Sequence, residues 1–551
     1  MRIVLDGREG SFPVNATASQ VVRQLWPEKV RIVLALMWGG VVLELNQPLS
    51  DGMVLNSVTF KHEEGRRIYE RSLRFVFLLA ARRLFPDTQV RIANSIGYGL
   101  FLKLLGRTLT KRQVERLENE MRSIVESDLP FEKELWIRDK AIEYFKQEGQ
   151  EDKVQLLSYR PNYDFPIYRC GGMWEYFYGA MLPSTGWVSV FELRPHHPGL
   201  VIQMPGPENP AVPAPYVERP KHLHIFAQSQ RWCEILDATN VSDINDMIRT
   251  GKFREFIRVN EALHDKSIAA IADEIRRRKA RLVLISGPSS SGKTTFSNRL
   301  KIHLQVLGLR PALLSLDDFY LDRADIPPEP DGSVDLESIH TIDIPLFEDC
   351  LKRLLNGETA QMPRFSFQTG RREEKRISMR VEADEPVVVE GIHGLNPLLT
   401  GHLPKEMIFR IYVSALTCVN LDHHNRIRTT DVRLLRRIVR DFQFRGTAPD
   451  DTLGMWESVR RGEDKWIFPY QEEADVMFNT TLHYELPVLK SVAYDLLKAI
   501  PPENPNYLLS RRLLKTLHYL LPMPEDASSE IPPLSILREF IGGCTFYDSH
   551  P

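Results

Sequence analysis

The chain has 551 residues, 43% hydrophobic and 26% charged, with 71 Lys and Arg against 73 Asp and Glu. That length holds roughly three or four domains, and the composition excludes a fibre, a disordered tail and a small disulfide scaffold. A formal charge of −2 excludes a global basic field for bulk binding of nucleic acid or anionic membrane. The cysteines Cys170, Cys233, Cys350, Cys418 and Cys544 form no CxxC pair and read as reduced thiols. No apolar run reaches about 18 residues, and charge follows Met1 too early for a signal peptide. A cytoplasmic chain without membrane contact is expected.

Residues 1–60 read as strand Arg2 to Leu5, a turn at Asp6-Gly7, strand Phe12 to Val14 and a helix from Thr17 to Leu25. Strands Arg31 to Trp38, Val41 to Leu45 and Met53 to Phe60 follow. This order, with Pro48-Leu49-Ser50-Asp51-Gly52 before the last strand, resembles the β-grasp TGS domain at the front of threonyl-tRNA synthetases.

Residues 61–203 mix helix and strand, with helical spacing in Tyr69 to Leu84 and Lys111 to Val125. Tyr69-Glu70-Arg71-Ser72-Leu73-Arg74-Phe75 and the later Leu182-Pro183-Ser184-Thr185-Gly186 resemble the editing-type domain that follows TGS in those synthetases. In that family an HxxxH pair and a C-x-x-x-H pair line a hydrolytic pocket. Here Arg71 and Phe75 stand at the first pair, Phe177 and Met181 at the second. None of the four can ligate a metal or activate water, so a scaffold without editing chemistry is expected.

Residues 204–220 carry Pro205, Pro207, Pro210, Pro213, Pro215 and Pro220, a stiff segment that marks a domain border. Helical patterns run from His222 to Arg278, making 204–280 a Pro-rich linker and helical segment. Arg276-Arg277-Arg278-Lys279 reads as a solvated helix end favoured by the helix dipole.

The apolar run Leu282-Val283-Leu284-Ile285-Ser286 leads into Gly287-Pro288-Ser289-Ser290-Ser291-Gly292-Lys293-Thr294, and helical spacing resumes from Thr295. This is GxxxxGKT in its required strand-loop-helix setting. Successive backbone N–H groups would cradle phosphate, Lys293 would bridge the β- and γ-phosphates, and Thr294 would ligate Mg²⁺. A second strand, Ala312 to Leu316, ends at Asp317, placed as a general base for an alcohol. A third, Val387-Val388-Val389, ends at Glu390, suited to a Mg²⁺ site. Arg433, Arg437 and Arg440 recur on one helical face, with Leu434, Leu435 and Ile438 opposite. This is expected to be an arginine lid over the phosphates. The stretch from Gly462-Glu463-Asp464-Lys465 to Glu472 reads as a charged aromatic loop of no assigned role. The histidine pairs His196-His197, His222/His224 and His423-His424 read as structural.

Together with Pro363-Arg364-Phe365-Ser366-Phe367, these motifs resemble the uridine kinase and phosphoribulokinase family over residues 281–500. The resemblance implies ATP and Mg²⁺ as cofactors and Asp317 as base toward a 5′-hydroxyl. It places Lys293, Arg437 and Arg440 in catalysis, Gly287 to Thr295 around the nucleotide, and Thr294 and Glu390 on the metal. Asp335 would hold sugar hydroxyls, Tyr320 and Phe365 would wall a nucleobase, and Arg437, Arg440 and Arg445 would serve sugar and triphosphate. Two departures weaken pyrimidine specificity: Phe365 stands where the family has tyrosine, and Gly370 where it has a base-reading histidine. Residues 501–551, with Ser535-Ile536-Leu537-Arg538-Glu539-Phe540-Ile541-Gly542-Gly543, match the ending of bacterial TGS-bearing kinases. They read as a packed helical extension with a Gly-Gly stop.

The expected fold is multidomain α+β and α/β. It has an N-terminal β-grasp, a mixed α+β middle domain and a C-terminal P-loop parallel-sheet kinase domain. The expected activity is phosphorylation of a nucleoside or related sugar-bearing small molecule. The rivals are a kinase of a non-nucleoside alcohol and a nucleotide-regulated protein that contacts RNA or a protein partner through its N-terminal domains.

Overall fold

The computed structural model describes residues 1–160, 163–328, 334–382 and 384–546. At the N-terminus, Arg2–Leu5 pairs parallel with Val54–Thr59 and antiparallel with Arg8–Ser11, and Val33–Trp38 and Val41–Leu43 complete a mixed five-stranded sheet. The helix Ala18–Leu25 starts at Thr17, whose hydroxyl accepts from the Gln20 N–H while the Gln20 side chain takes the Thr17 N–H, a reciprocal cap. Ala18, Val21 and Val22 join Ile3, Leu5 and Leu36 in one core. This is the expected β-grasp with one correction: its second strand is Arg8–Ser11, not Phe12 to Val14. Asp6 and Gly7 adopt φ of 48° and 79°, a two-residue hairpin turn that begins the return strand at once. Phe12 then tucks into the core and Val14 stays exposed.

The next helix is Glu63–Leu84, starting before the expected Tyr69. Past its first turn the polar Arg67, Glu70, Arg71 and Arg74 are buried rather than solvated, and Arg67 pairs with Asp431 of the C-terminal region at 3.1 Å. It shares a core with the helix Lys111–Glu126 and a four-stranded antiparallel sheet ordered Glu192–His196, Gly199–Gln203, Gly99–Leu104, Val90–Ile96. A smaller sheet orders Met173–Glu175, Asp164–Cys170 and Glu132–Ile137.

Residues 204–219 hold no helix or strand, as their prolines dictate. The helices Pro220–Ile235, Val241–Arg249 and Phe253–Arg278 follow. The first packs on the strand Val476–Asn479 and the third on the helix Lys293–Val306, so they cover the C-terminal sheet and share its core. At the end of the third helix, Arg277 and Arg278 pair with the nearby Glu274 at 2.6 and 2.7 Å on the surface.

The C-terminal sheet has five parallel strands in the order Ala312–Ser315, Val387–Glu390, Leu282–Ser286, Ile408–Ser414, Val476–Asn479. Leu282–Ser286 and Val387–Glu390 are buried along their whole length, as a parallel sheet covered on both faces requires. From the central strand Leu282–Ser286 the chain runs to one edge, returns, and crosses to the other side. The resulting switch point opens at the carboxyl ends of the strands, where such sheets bind ligands. Glu390 lies level with both Ile285 and Ser315, which brings three of these strand ends together. Among the described residues, no helix is long and apolar enough to cross a membrane.

Candidate active site

The loop after Leu282–Ser286 is shaped by two glycines. A Cβ at Gly287 would collide with the Val413 carbonyl oxygen, and Gly292 has φ +82°, a conformation that side chains disfavour. Lys293 folds back so that its Nζ donates to the Pro288 carbonyl at 3.2 Å. Burial pushes its pKa down, against the opposing pull of Glu390 and Asp317. The loop is tied from outside at Ser289 and Ser291, and the helix turn after it at Thr295. The Ser289 N–H donates to Glu463 Oε1 at 3.1 Å, and the Ser289 hydroxyl accepts from Arg437 Nη1 at 3.0 Å. The Ser289 carbonyl accepts from Arg433 Nε at 3.0 Å and the Ser291 carbonyl from the Thr480 hydroxyl at 2.6 Å. Thr295 donates its N–H and hydroxyl to Glu539 Oε2 at 3.1 and 2.8 Å.

The arginine helix spans Thr429–Phe444 and corrects the expectation of a lid. Val432, Leu434, Leu435, Ile438 and Val439 are buried, and so are Arg433 and Arg436, both at most 1% exposed. A helix buried on every side from Asp431 to Val439 is a wall of the site. Two arginines can be enclosed because each meets a buried acid, Arg433 with Glu463 and Arg436 with Glu485. Arg437 reaches the loop as expected. Arg440 does not share its contact: its guanidinium donates to the adjacent Asp441 at 3.0 and 2.8 Å. Arg445 lies near the same acid, at 3.7 Å, with its guanidinium 5.5 Å from the Phe367 ring centre. The expected loop around Glu463 is the last turn of a helix, Pro449–Trp466.

Asp317 sits half-buried in the 3₁₀ turn Leu316–Phe319 at the end of its strand. Tyr320 lies beside Asp317, and burial, then the charge of Asp317, push the tyrosine pKa well up. Tyr320, Phe365 and Phe367 form an aromatic cluster with ring centres 5.4 to 6.2 Å apart. Asp335 does not point free into this space: Oδ2 accepts from the Trp466 indole at 2.9 Å and Oδ1 from the Glu337 N–H at 3.1 Å. Glu337, absent from the motifs, faces the site instead. Burial and then Glu463 raise its pKa to about 7, with Arg437 and Lys293 opposing. At Gly370, Arg323 donates its N–H to the carbonyl at 3.0 Å and packs its side chain where a Cβ would stand.

Glu390 is 5% exposed and accepts from the Ser315 hydroxyl at 2.9 Å. Burial, then the neighbouring Asp317, raise its pKa to about 7. A cation beside Glu390 and Asp317 would relieve that crowding. Among the described residues no cluster of His, Cys, Asp and Glu forms a cage of three or more ligands. One or two carboxylates, a hydroxyl and substrate phosphates suit Mg²⁺, which keeps several waters. The half-buried Thr294 and Glu390 fit that role.

In the middle region the four positions tested by sequence come together as packing. Phe75, Phe177 and Met181 are at most 2% exposed, with the two phenyl rings 5.6 Å apart. Arg71 donates to the Ala180 carbonyl and pairs with Glu64 at 2.6 Å. Sequence reading missed Arg436, Glu463, Glu337 and Glu539. The Arg460 and Glu463 pair, at i and i+3 after a tryptophan, was the one local signal, since it suits a helix rather than a loop.

Residues 282–485 match the family model described as the Phosphoribulokinase / Uridine kinase family. The N-terminal part is 31% identical over 184 residues to a threonine–tRNA ligase of Carboxydothermus hydrogenoformans, covering 33% of this chain and 29% of that protein. The chain thus spans less than a third of the length of the curated relatives it matches. Among solved structures, a protein of Bacillus stearothermophilus described as a possible uridine kinase is similar at 19% identity and a TM-score of 0.24, over 37% of this chain and 100% of that one. A D-glycerate 3-kinase of Cryptococcus neoformans is similar at 18% identity and a TM-score of 0.19, over 52% of this chain and 89% of that one.

Proposed function

We propose that this protein is an ATP- and Mg²⁺-dependent kinase that phosphorylates a hydroxyl of a nucleoside or related sugar-bearing small molecule. The observation that carries this reading is the meeting of Lys293, Asp317 and Glu390 at adjacent carboxyl ends of one parallel sheet. A nucleotide switch has no need of an acid aimed at an acceptor.

The acceptor oxygen attacks the γ-phosphorus while its proton passes to the Asp317 carboxylate, and the bond from γ-phosphorus to the β,γ-bridging oxygen breaks, releasing ADP. Tyr320, beside Asp317, flanks the accepting carboxylate. Lys293 and Arg437, fixed against the loop, spread the charge that builds on the phosphoryl oxygens. When bound, Mg²⁺ held by Thr294 and Glu390 supplies neutralisation of the β- and γ-oxygens. Tyr320, Phe365 and Phe367 offer an apolar wall to the acceptor, and Arg445 closes its rim.

A second reading, a non-nucleoside alcohol as acceptor, is favoured by what lines that wall. Phe365 carries no hydroxyl, and the side chain beside Gly370 is Arg323, which donates to the Phe367 carbonyl at 3.3 Å, so neither of these two positions supplies the tyrosine or histidine that reads a base edge in the family it resembles. One experiment covers both readings. The protein is incubated with ATP, Mg²⁺ and a panel of nucleosides and sugar alcohols. A phosphorylated nucleoside is expected; a phosphorylated non-nucleoside selects the second reading, and ATP hydrolysis with no phosphorylated acceptor rejects both.

A further inference from the structure

The C-terminal stretch Ser535–Gly543 lies outside the matched residues, yet it forms one side of the phosphate loop. Its own backbone is well fixed. The Ser535 hydroxyl donates to the buried Glu261 at 2.6 Å, and Arg538 Nη2 donates to the Ser528 and Ile531 carbonyls at 3.1 and 2.8 Å. Ile536, Leu537 and Phe540 are fully buried, and the Phe540 ring lies 5.0 Å from the Arg436 guanidinium, the same arginine that bonds to Thr480 behind the loop. The Ile536 side chain packs so closely on Gly292 that a Cβ there would meet it.

From this platform Glu539 extends to the first turn of the helix Lys293–Val306. One carboxylate oxygen, Oε2, takes both the N–H and the hydroxyl of Thr295, at 3.1 and 2.8 Å. Donors at this end of a phosphate loop point at phosphate oxygens when a nucleotide is bound. An anionic oxygen accepting from both is a stand-in for one of those phosphate oxygens. Glu463 takes another loop donor, Ser289 N–H, but it is clamped by Arg433 and Arg460. It therefore belongs to the permanent wall, whereas Glu539 Oε2 is held by the two donors of Thr295.

We infer that Glu539 is a determinant of nucleotide binding supplied from outside the matched region: its carboxylate holds the Thr295 donors until a nucleotide phosphate displaces it. This rests on the phosphate-loop reading above. The competition costs the nucleotide part of its gain, because two charge-assisted hydrogen bonds must break before two new ones form. It also keeps the Thr295 donors satisfied in the unliganded protein, at a position where buried donors are expensive to leave alone.

The test is calorimetric titration of the full chain with ATP in the presence of Mg²⁺, comparing wild type with Glu539→Ala and Glu539→Gln. Removing the carboxylate is expected to tighten ATP about tenfold. Glu539→Gln, isosteric and uncharged but still able to accept, is expected to tighten it less. A gain in affinity is an outcome that simple loosening of the tail cannot produce. Unchanged or weaker binding in both variants, with wild type binding ATP, overturns the inference. Lys293→Ala separates the two levels: if wild type and both Glu539 variants bind ATP no better than Lys293→Ala, the phosphate-loop reading itself fails.

Discussion

Around Phe75 the rings pack closed and the buried charges have partners, while around Lys293 the buried charges are crowded. In the synthetase-like region two phenyl rings and a thioether fill the place where resemblance put a hydrolytic pocket, and the cations beside them have partners, Arg71 in Ala180 and Glu64 and Arg74 in the His424 carbonyl. At the carboxyl ends of the strands, Asp317, Glu337, Glu390 and Lys293 interact without full neutralisation, and two of the acids have pKa values raised to about 7. Burial alone therefore does not mark a site. Charge that is buried with its partners used up, as in Arg67 with Asp431, holds regions together; charge that is buried and left crowded awaits a ligand.

The comparison is tested hardest at Asp317. Asp317→Asn keeps the side-chain shape and removes the proton acceptor, so phosphoryl transfer is expected to fall about 10³-fold while ATP still binds in calorimetry. A variant that retains most of its transfer rate would remove Asp317 from the chemistry. The matching change in the closed region is Phe75→Ala. Emptying that volume is expected to cost about 3 kcal/mol of stability in chemical denaturation and to leave the transfer rate per folded molecule unchanged. A loss of rate at full stability would show that the two regions are not divided as described.

How much of this was legible in sequence follows from the range of the interactions. The strand Leu282–Ser286 and the loop after it were readable because a fully buried parallel strand is an unbroken apolar run and phosphate binding fixes glycine spacing. Asp317 and Glu390 were readable because each directly ends such a run. Arg436, Glu463 and Glu539 were not, since their partners, Glu485, Arg433 and Thr295, are 30 to 244 residues away. In a one-dimensional pattern a paired buried charge looks the same as a solvated one, which is also why the Thr429–Phe444 helix read as a lid. Arg440 fell on the helical face of Arg437, but the adjacent Asp441 draws it aside. The helices of 220–278 read as a segment between domains because their partner, the sheet of 282–479, follows them in sequence.

The smallest effect sharpens the electrostatic half of the comparison. Glu390 holds its proton to about pH 7 in the folded protein, chiefly through burial, against 4.5 for an ordinary glutamate. Between those values the folded state binds more protons than the unfolded state, so stability falls as pH rises, and the deficit is constant above pH 7. Glu337 adds a slope of the same sign. Glu390→Gln cannot ionise, so its unliganded melting temperature is expected to decline less from pH 5 to 7 and to exceed that of wild type by a few degrees at pH 8. Adding ATP and Mg²⁺ should reverse the order, because the ligand rewards the ionised carboxylate that the empty site penalises. Parallel wild-type and variant profiles would mean that Glu390 is already neutralised, and that the crowding at the strand ends is not held in reserve for a cation.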